Sequence, residues 1–232
     1  MTNHTIIIAN NTNIEEIVES EIKRLGKNAD LNHIDVSQVT NMKNMFKNSR
    51  FNGNISKWNV SGVTSMEGMF YHSEFNGDIS KWDVSKVLNM TEMFEASQFN
   101  GDISQWEVSN VETMYYMFAV SIFNQDISKW NTQSTVNMRG MFMQSKFNCD
   151  ISQWNVSNVV DMSYMFYGPP FNGDVSKWNV SHVDSMDEIF SSSEFAQDIS
   201  DWKFNPSLIK DADLQKKLKT PIKEKISNKL ST

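Results

Sequence analysis

Aspartates at a fixed spacing are the first residues of this 232-residue chain that could do chemistry. One position recurs every 24 residues and holds Asn54, Asp78, Asp102, Asp126, Asp150, Asp174 and Asp198. Calcium prefers carboxylate oxygens, but each repeat offers only one, and the glycine-rich nonapeptide of calcium β-rolls is absent. The pattern instead favours aspartates that accept backbone N–H groups in turns, so we expect no metal and no cofactor.

The sequence contains no arrangement of residues that would indicate catalysis. The four histidines lie at different positions in different parts of the chain, so none is paired with a nucleophile. The single cysteine, Cys149, replaces a glycine of the repeat and excludes both a disulfide framework and a cysteine-built metal site. Phosphate-loop, dinucleotide, serine-hydrolase and zinc-helix motifs do not occur. We therefore expect a protein that is not an enzyme and has no catalytic residues.

Tryptophan, phenylalanine and methionine reveal the repeat that must position these residues. The tryptophans stand 24 residues apart without an insertion, at Trp58, Trp82, Trp106, Trp130, Trp154, Trp178 and Trp202. A unit reads F-N-G-D-I-S-K-W-x-V-S-x-V-x-x-M-x-x-M-F. A fixed period of about 20 to 50 residues indicates a solenoid, in which stacking buries the apolar face of each unit. We expect every tryptophan of the series to be buried, and the asparagine of each unit to bond the next repeat.

Two apolar patterns within a repeat predict its secondary structure. Trp58 and Val60 alternate with polar residues, which predicts a short strand, and the apolar residues between Val63 and Phe70 recur at a helical spacing. The predicted fold class is therefore an α/β solenoid. It is a leucine-rich-repeat-like stack of 24-residue units, each a short parallel strand plus a short helix, with helical caps at both ends.

The chain divides into three predicted parts. Residues 1–30 form an N-terminal cap, in which a strand precedes a helix that opens on a capping box from Thr12 to Glu15 and ends before Gly26. Residues 31–204 form about eight repeats. Residues 205–232 form a lysine-rich helical cap at the other end.

The repeat also resembles a known family. Ile55-x-x-Trp58-x-Val60-x-x-Val63 lies on the leucine-rich-repeat frame L-x-x-L-x-L-x-x-N-x-L. The longer string F-N-G-D-I-S-K-W-D-V-S, followed by V-x-N-M-x-x-M-F, resembles the BspA-type bacterial surface leucine-rich-repeat family over about residues 31–204. The resemblance implies a surface or lipoprotein setting, with adhesion or protein binding as the activity.

Charge and hydropathy limit the classes of partner and the cellular locations that we expect. The formal net charge of −7 argues against a uniformly basic nucleic-acid binder. No apolar run is long enough for a transmembrane segment. The opening residues MTNHTIIIAN have no basic region of the kind that begins a signal peptide, which predicts a cytoplasmic protein. The family resemblance implies the alternative, a cell-surface or secreted protein.

Positions that differ between repeats point to a binding surface. The variable positions lie between the two methionines and after the Met-Phe pair, and they hold every tyrosine of the chain. The candidate partner-binding residues are Tyr71, Tyr115, Tyr116, Val120, Ile122, Met143, Tyr164 and Tyr167. Aromatic, methionine and aliphatic side chains at exposed positions are typical of interface hot regions. The alternative is that these side chains fold inward and enlarge the core.

A second surface competes with the first. Polar residues around the predicted strands form it, with Lys81, Asp83, Glu107, Lys129, Asn155 and Lys177 as candidates. We expect a non-enzymatic module that binds a protein partner of unknown identity on a rigid surface. The alternatives are a surface adhesin for a host protein or glycan, and an intracellular regulator or immunity-type partner. No sequence feature favours the glycan.

Overall fold

The computed structural model describes residues 5–168 and 170–204. Strand β1 (Ile7–Asn10), helix α1 (Ile14–Leu25) and strand β2 (Ile34–Gln38) open the described chain, and β1 pairs with β2 in parallel. The predicted capping box is wrong, because the Thr12 hydroxyl donates to Asn10 and Asn13 is the N-cap. Gly26, with φ +93°, follows the helix as predicted.

A buried contact between a carboxylate and a histidine fastens α1 to the first repeat. The Glu21 carboxylate lies 2.7 Å from His33 Nε2 and also accepts hydrogen bonds from Arg24. Arg24, and to a smaller degree His33, hold the pKa of Glu21 at about 2, against the effect of burial. Because the partners lie on different elements, this contact fixes the helix on the end of the repeat region.

Backbone hydrogen bonds join each repeat to the next at equivalent positions. The N–H of Met42 donates to the C=O of Ser65 at 2.9 Å, and the N–H of Phe46 donates to the C=O of Met69 at 2.8 Å. The same bonds recur along the chain, and parallel bridges link Asn41, Ser65, Asn89, Thr113, Asn137, Asp161 and Ser185. Successive repeats therefore lie side by side, parallel and in register.

The Met-Phe segments form turns, and the helices predicted there are wrong. The N–H of Met45 bonds the C=O of Met42, and the N–H of Ser49 bonds the C=O of Phe46. Asn44, the third residue of the first turn, has φ +59°, and the equivalent residue of the second turn also has a positive φ. A positive φ at the third position is the mark of a type II turn and is incompatible with an α-helix. The first and fourth residues of such a turn face inward three residues apart, which reproduces the helical spacing.

Among the described residues, the first repeat is the only one that has a strand at the predicted position. There β2 includes Ile34, the counterpart of the tryptophans. In the next repeat the N–H of Trp58 bonds the C=O of Ile55, and the N–H of Val63 bonds the C=O of Val60. The first repeat has the same two bonds, from Ile34 to Leu31 and from Val39 to Val36, so these turns do not distinguish it. It differs because β1 pairs with β2 there, and this pairing forms the ladder.

The aromatic positions form the core, as the period predicts. Trp106 is 3% exposed and its indole N–H donates to the C=O of Ile79 at 3.1 Å, an arrangement that every tryptophan of the series shares. The phenylalanine ladder that begins with Phe46 and Phe70 has ring centroids 5.4–5.9 Å apart. Offset parallel rings at this spacing pack without voids. The prediction that the tryptophans are buried is confirmed.

Asparagines connect the repeats along a second line, as predicted. The side-chain oxygen of Asn52 accepts the N–H of Asn76 at 2.8 Å, and each later asparagine of the series does the same for the next repeat. The predicted lysine-rich cap over residues 205–232 lies outside the described residues. Across residues 5–168 and 170–204, no helix combines the length and apolar character that a membrane crossing requires.

Candidate functional site

The variable positions of the repeat are the tips of the two turns. The first turn runs from Met114 to Met117 in the fourth repeat, and its central residues are Tyr115 and Tyr116. The second turn runs from Phe118 to Ser121. We name the surface formed by these turns and their flanks the turn face; it comprises residues 40–50, 64–74, 88–98, 112–122, 136–146, 160–168 with 170, and 184–194. The corners are buried and uniform, whereas the tips are free to vary.

The candidate residues lie on this surface at different depths. Val120 and Ile122 are exposed, at 48% and 42%. The remaining candidates are half-buried: Tyr71, Tyr115, Tyr116, Met143, Tyr164 and Tyr167. None of the eight is fully buried, so these side chains cover the turns rather than enlarge the core.

Tyrosines and one arginine pack together across the fourth to sixth repeats. The rings of Tyr115 and Tyr116 meet edge to face at 4.5 Å, and Arg139 lies 5.1 Å over the ring of Tyr164. Desolvation lowers the pKa of Arg139, but the hydrogen bond with Tyr116 and the nearby Asp161 carboxylate, 3.7 Å away, raise it overall. These contacts hold the rings in fixed positions on the surface.

A glycine in the next repeat makes room for Tyr116. A Cβ atom at Gly140 would lie 2.8 Å from the Tyr116 ring, and Gly140 has φ +61°. The Asn44 side chain lies over Gly68 in the same way, three repeats before the pair of Tyr116 and Gly140. The two pairs show that this position accepts either a tyrosine or an asparagine when a glycine follows in the next repeat.

Sequence reasoning missed an aliphatic stripe beside the first turn. Leu88, Val136 and Val160 occupy one position of the repeat and are 42–44% exposed. Other repeats carry threonine or an acidic residue there, such as Thr64 and Glu112. That contrast in residue type was the available signal, because an aliphatic side chain at a polar position of a repeat is unexpected unless it contacts something.

The competing surface is polar and largely engaged with its own backbone. All of its candidates, Lys81, Asp83, Glu107, Lys129, Asn155 and Lys177, are exposed. Asp83 accepts the N–H of Ser85 at 3.1 Å, and Glu107 accepts the N–H of Ser109 at the same distance. An open depression of about 550 Å³ lies beside Lys129 and Asn155. This surface offers polar groups but no cluster of apolar side chains.

The recurring aspartates perform the turn role that the sequence favoured. The Asp78 carboxylate accepts the N–H of Ser80 at 2.9 Å, which lowers its pKa, and the later aspartates accept equivalent bonds. Among the described residues, no group of three or more His, Cys, Asp or Glu side chains is arranged to hold a metal ion. Cys149 is half-buried, and desolvation raises the pKa of its thiol.

Bonds that repeat every 24 residues define the class of this chain as a tandem-repeat protein. It matches the family described as "Mycoplasma protein of unknown function, DUF285" twice in tandem, over residues 12–122 and 119–220. The two matches span most of the chain, which therefore belongs to this family. No curated protein and no solved structure matches it.

Proposed function

We propose that this chain is a leucine-rich-repeat-like solenoid of the BspA type whose turn face binds a protein partner without catalysing a reaction. One observation carries the proposal. Of the seven large apolar side chains exposed in the described chain, five lie on the turn face: Leu88, Val120, Ile122, Val136 and Val160. With the half-buried tyrosines of the same repeats they give the turn face a mixed apolar and aromatic character over the third to sixth repeats, and exposed apolar patches typically mark interaction sites.

The rigidity of the turn face favours the binding of a partner. Two hydrogen bonds per turn join each repeat to the next, and the asparagine ladder adds a further bond on another side. A partner therefore meets rings that are already ordered, so little conformational entropy is lost on docking. Tyrosine supplies a large contact area and a hydroxyl at small entropic cost, which is why it is enriched among hot-spot residues.

A surface adhesin that binds a glycan is the second candidate. The polar depression beside Lys129 and Asn155 supports it, since hydroxyl-rich ligands bind amides and charged groups. The two proposals place the ligand on different faces of the same repeats, so the position of the contact separates them.

Site-specific photo-cross-linking tests which face binds. Benzoylphenylalanine would replace Ile122 on the turn face in one variant and Lys129 on the competing surface in the other, since both side chains are exposed. Irradiation in the source cells is expected to give a discrete protein adduct from position 122 and none from position 129. An adduct formed only from position 129 would contradict the proposal, and a glycan bound there would support the adhesin.

A further inference from the structure

One part of the turn face combines tyrosine rings with two carboxylates. Tyr71 and Glu95 occupy the same position of successive repeats, and the N–H of His72 donates to the C=O of Glu95 at 2.7 Å. In the neighbouring turn, the N–H of Glu92 donates to the C=O of Tyr115 at 2.8 Å. The backbone thus places two acidic side chains between two tyrosines, in the third repeat and its neighbours.

The charges in this region are unevenly paired. On either side the acids have basic partners, since Lys43 lies 2.7 Å from Glu67 and Arg139 lies 3.7 Å from Asp161. Of the ion pairs among the described residues, none includes Glu92 or Glu95.

The surroundings of Glu95 disfavour the charged form of its carboxyl group. Desolvation and the charge of Glu92 raise the pKa of Glu95 to about 7, and the charge of Lys47 offsets only part of the shift. The pKa of Tyr115 is also raised, first by desolvation and then by charges that include Glu92 and Glu95. A cation beside these groups would relieve the repulsion between them.

The rings of this surface already hold cations from the chain itself. The Lys47 ammonium lies 4.5 Å over the centre of the Tyr71 ring, and Arg139 lies over Tyr164. A cation over an aromatic face is attracted by the ring, and the attraction grows where water is excluded. A carboxylate beside the ring adds a charge-assisted hydrogen bond.

We propose that Glu92, Glu95 and Tyr115, next to the Lys47–Tyr71 pair, form a subsite for a lysine or arginine side chain of the protein partner. This inference rests on the proposed function and names the partner class: a segment with a basic side chain, whose apolar neighbours lie against the aliphatic stripe of Leu88, Val136 and Val160. Charge complementarity favours a basic segment, because the subsite carries two acids and the chain as a whole also carries a formal charge of −7.

A library of random 12-residue peptides displayed on phage is the probe for this subsite, selected against the full chain. The selected peptides are expected to carry lysine or arginine among apolar residues. The best peptide is then synthesised twice, once as selected and once with citrulline in place of arginine or norleucine in place of lysine. The neutral peptide is expected to bind at least tenfold more weakly.

Paired variants assign the effect to the two acids. Glu92→Gln with Glu95→Gln should weaken the basic peptide at least tenfold and leave the neutral peptide unchanged. Glu188→Gln, at the position equivalent to Glu92 in the last turn pair, is the matched control and should change neither. Affinity for the basic peptide should also fall from pH 8 to pH 6, because Glu95 becomes protonated. The titratable groups that face Glu95 are Glu92, Lys47 and Tyr115. Affinity for the neutral peptide should not change over this range.

The outcomes separate this inference from the proposed function. Two results would overturn the subsite if the peptides still bind the turn face. Either the selected peptides lack basic residues, or their affinity is unchanged by Glu92→Gln with Glu95→Gln. Binding to the turn face is recognised by loss of affinity in the Tyr116→Asn, Tyr167→Ser variant. Peptides that bind both this variant and the Glu92→Gln, Glu95→Gln variant as well as wild type, or a selection that yields no binder, would contradict the proposed function itself.

Discussion

Residues at the turn tips hold a backbone conformation that most side chains avoid. Within residues 5–168 and 170–204, eleven non-glycine residues have a positive φ, and only two of these eleven are asparagines. The left-handed conformation costs about 1 kcal/mol or more for an ordinary residue. Tyr116, Val120 and Tyr164 bear this cost on the candidate surface. Stability alone would favour glycine or asparagine at these positions, and we propose that binding is what retains the tyrosines and Val120 there.

Val120 gives the sharpest test of this strain, because it is β-branched with φ +57°. Val120→Asn should raise the free energy of unfolding by about 1 kcal/mol, since asparagine tolerates the left-handed region and the side chain is exposed. Urea denaturation measures the change. Ile122→Asn is the control, because Ile122 is also exposed but has no positive φ, and it should give no gain. A loss of stability in Val120→Asn would contradict the strain.

Glu95 should make stability depend on pH. Its pKa in the folded protein is about 7, above the ordinary value of 4.5. The folded state therefore binds this proton more readily than the unfolded state does. The contribution is fully present below about pH 4.5 and is lost as the pH rises through 7.

The variant Glu95→Gln removes the charge that causes this loss. It should be more stable than wild type at pH 8 by about 1–2 kcal/mol, a figure reduced for partial solvent screening, and the gain should shrink toward pH 5. Thermal melts at both pH values measure the difference. A gain that is equal at the two pH values would show that Glu95 is not desolvated.

At the scale of elements, the sequence predicted which residues lie inside but not the backbone that places them there. The period located the buried tryptophans and the asparagine ladder, and local sequence patterns located the N-terminal strand and helix. It did not distinguish turns from helices, because turn corners such as Met42 and Met45 share the three-residue spacing of a helix. Gly68 and Gly140 at the turn tips were the clue, since glycine favours a positive φ, but tyrosine and glutamate at the same position in other repeats obscured it.

The tryptophan position should dominate the stability of each repeat. Trp106→Ala should lower the free energy of unfolding by about 3–5 kcal/mol, as a large truncation in a packed core. Trp106→Phe should cost less, about 1–3 kcal/mol, because it keeps the ring but leaves the C=O of Ile79 without the indole N–H. Chemical denaturation of both variants measures the two losses of unfolding free energy and shows which is larger. A cost below about 1 kcal/mol for the alanine variant would contradict the packing.

At the scale of the whole molecule, one backbone pattern presents different side chains at each repeat. The corners are nearly identical from one repeat to the next, so the surface is continuous while its chemistry changes along it. The candidate site was largely predicted from the sequence, because the variable positions proved to be the turn tips. The aliphatic stripe and the carboxylates beside Tyr115 were not predicted, since their meaning depends on which turns lie side by side.

The most direct test of the turn face compares two double variants against the partner obtained by cross-linking. Tyr116→Asn with Tyr167→Ser uses residues that other repeats carry at these positions, Asn44 and Ser191. Loss of two hot-spot contributions of about 2 kcal/mol each should weaken binding about a thousandfold, while the melting temperature stays nearly unchanged. Glu107→Ala with Lys129→Ala, on the competing surface, should weaken it less than about threefold. Titration calorimetry that found wild-type affinity for the tyrosine pair, or a large loss only for the charged pair, would contradict the account.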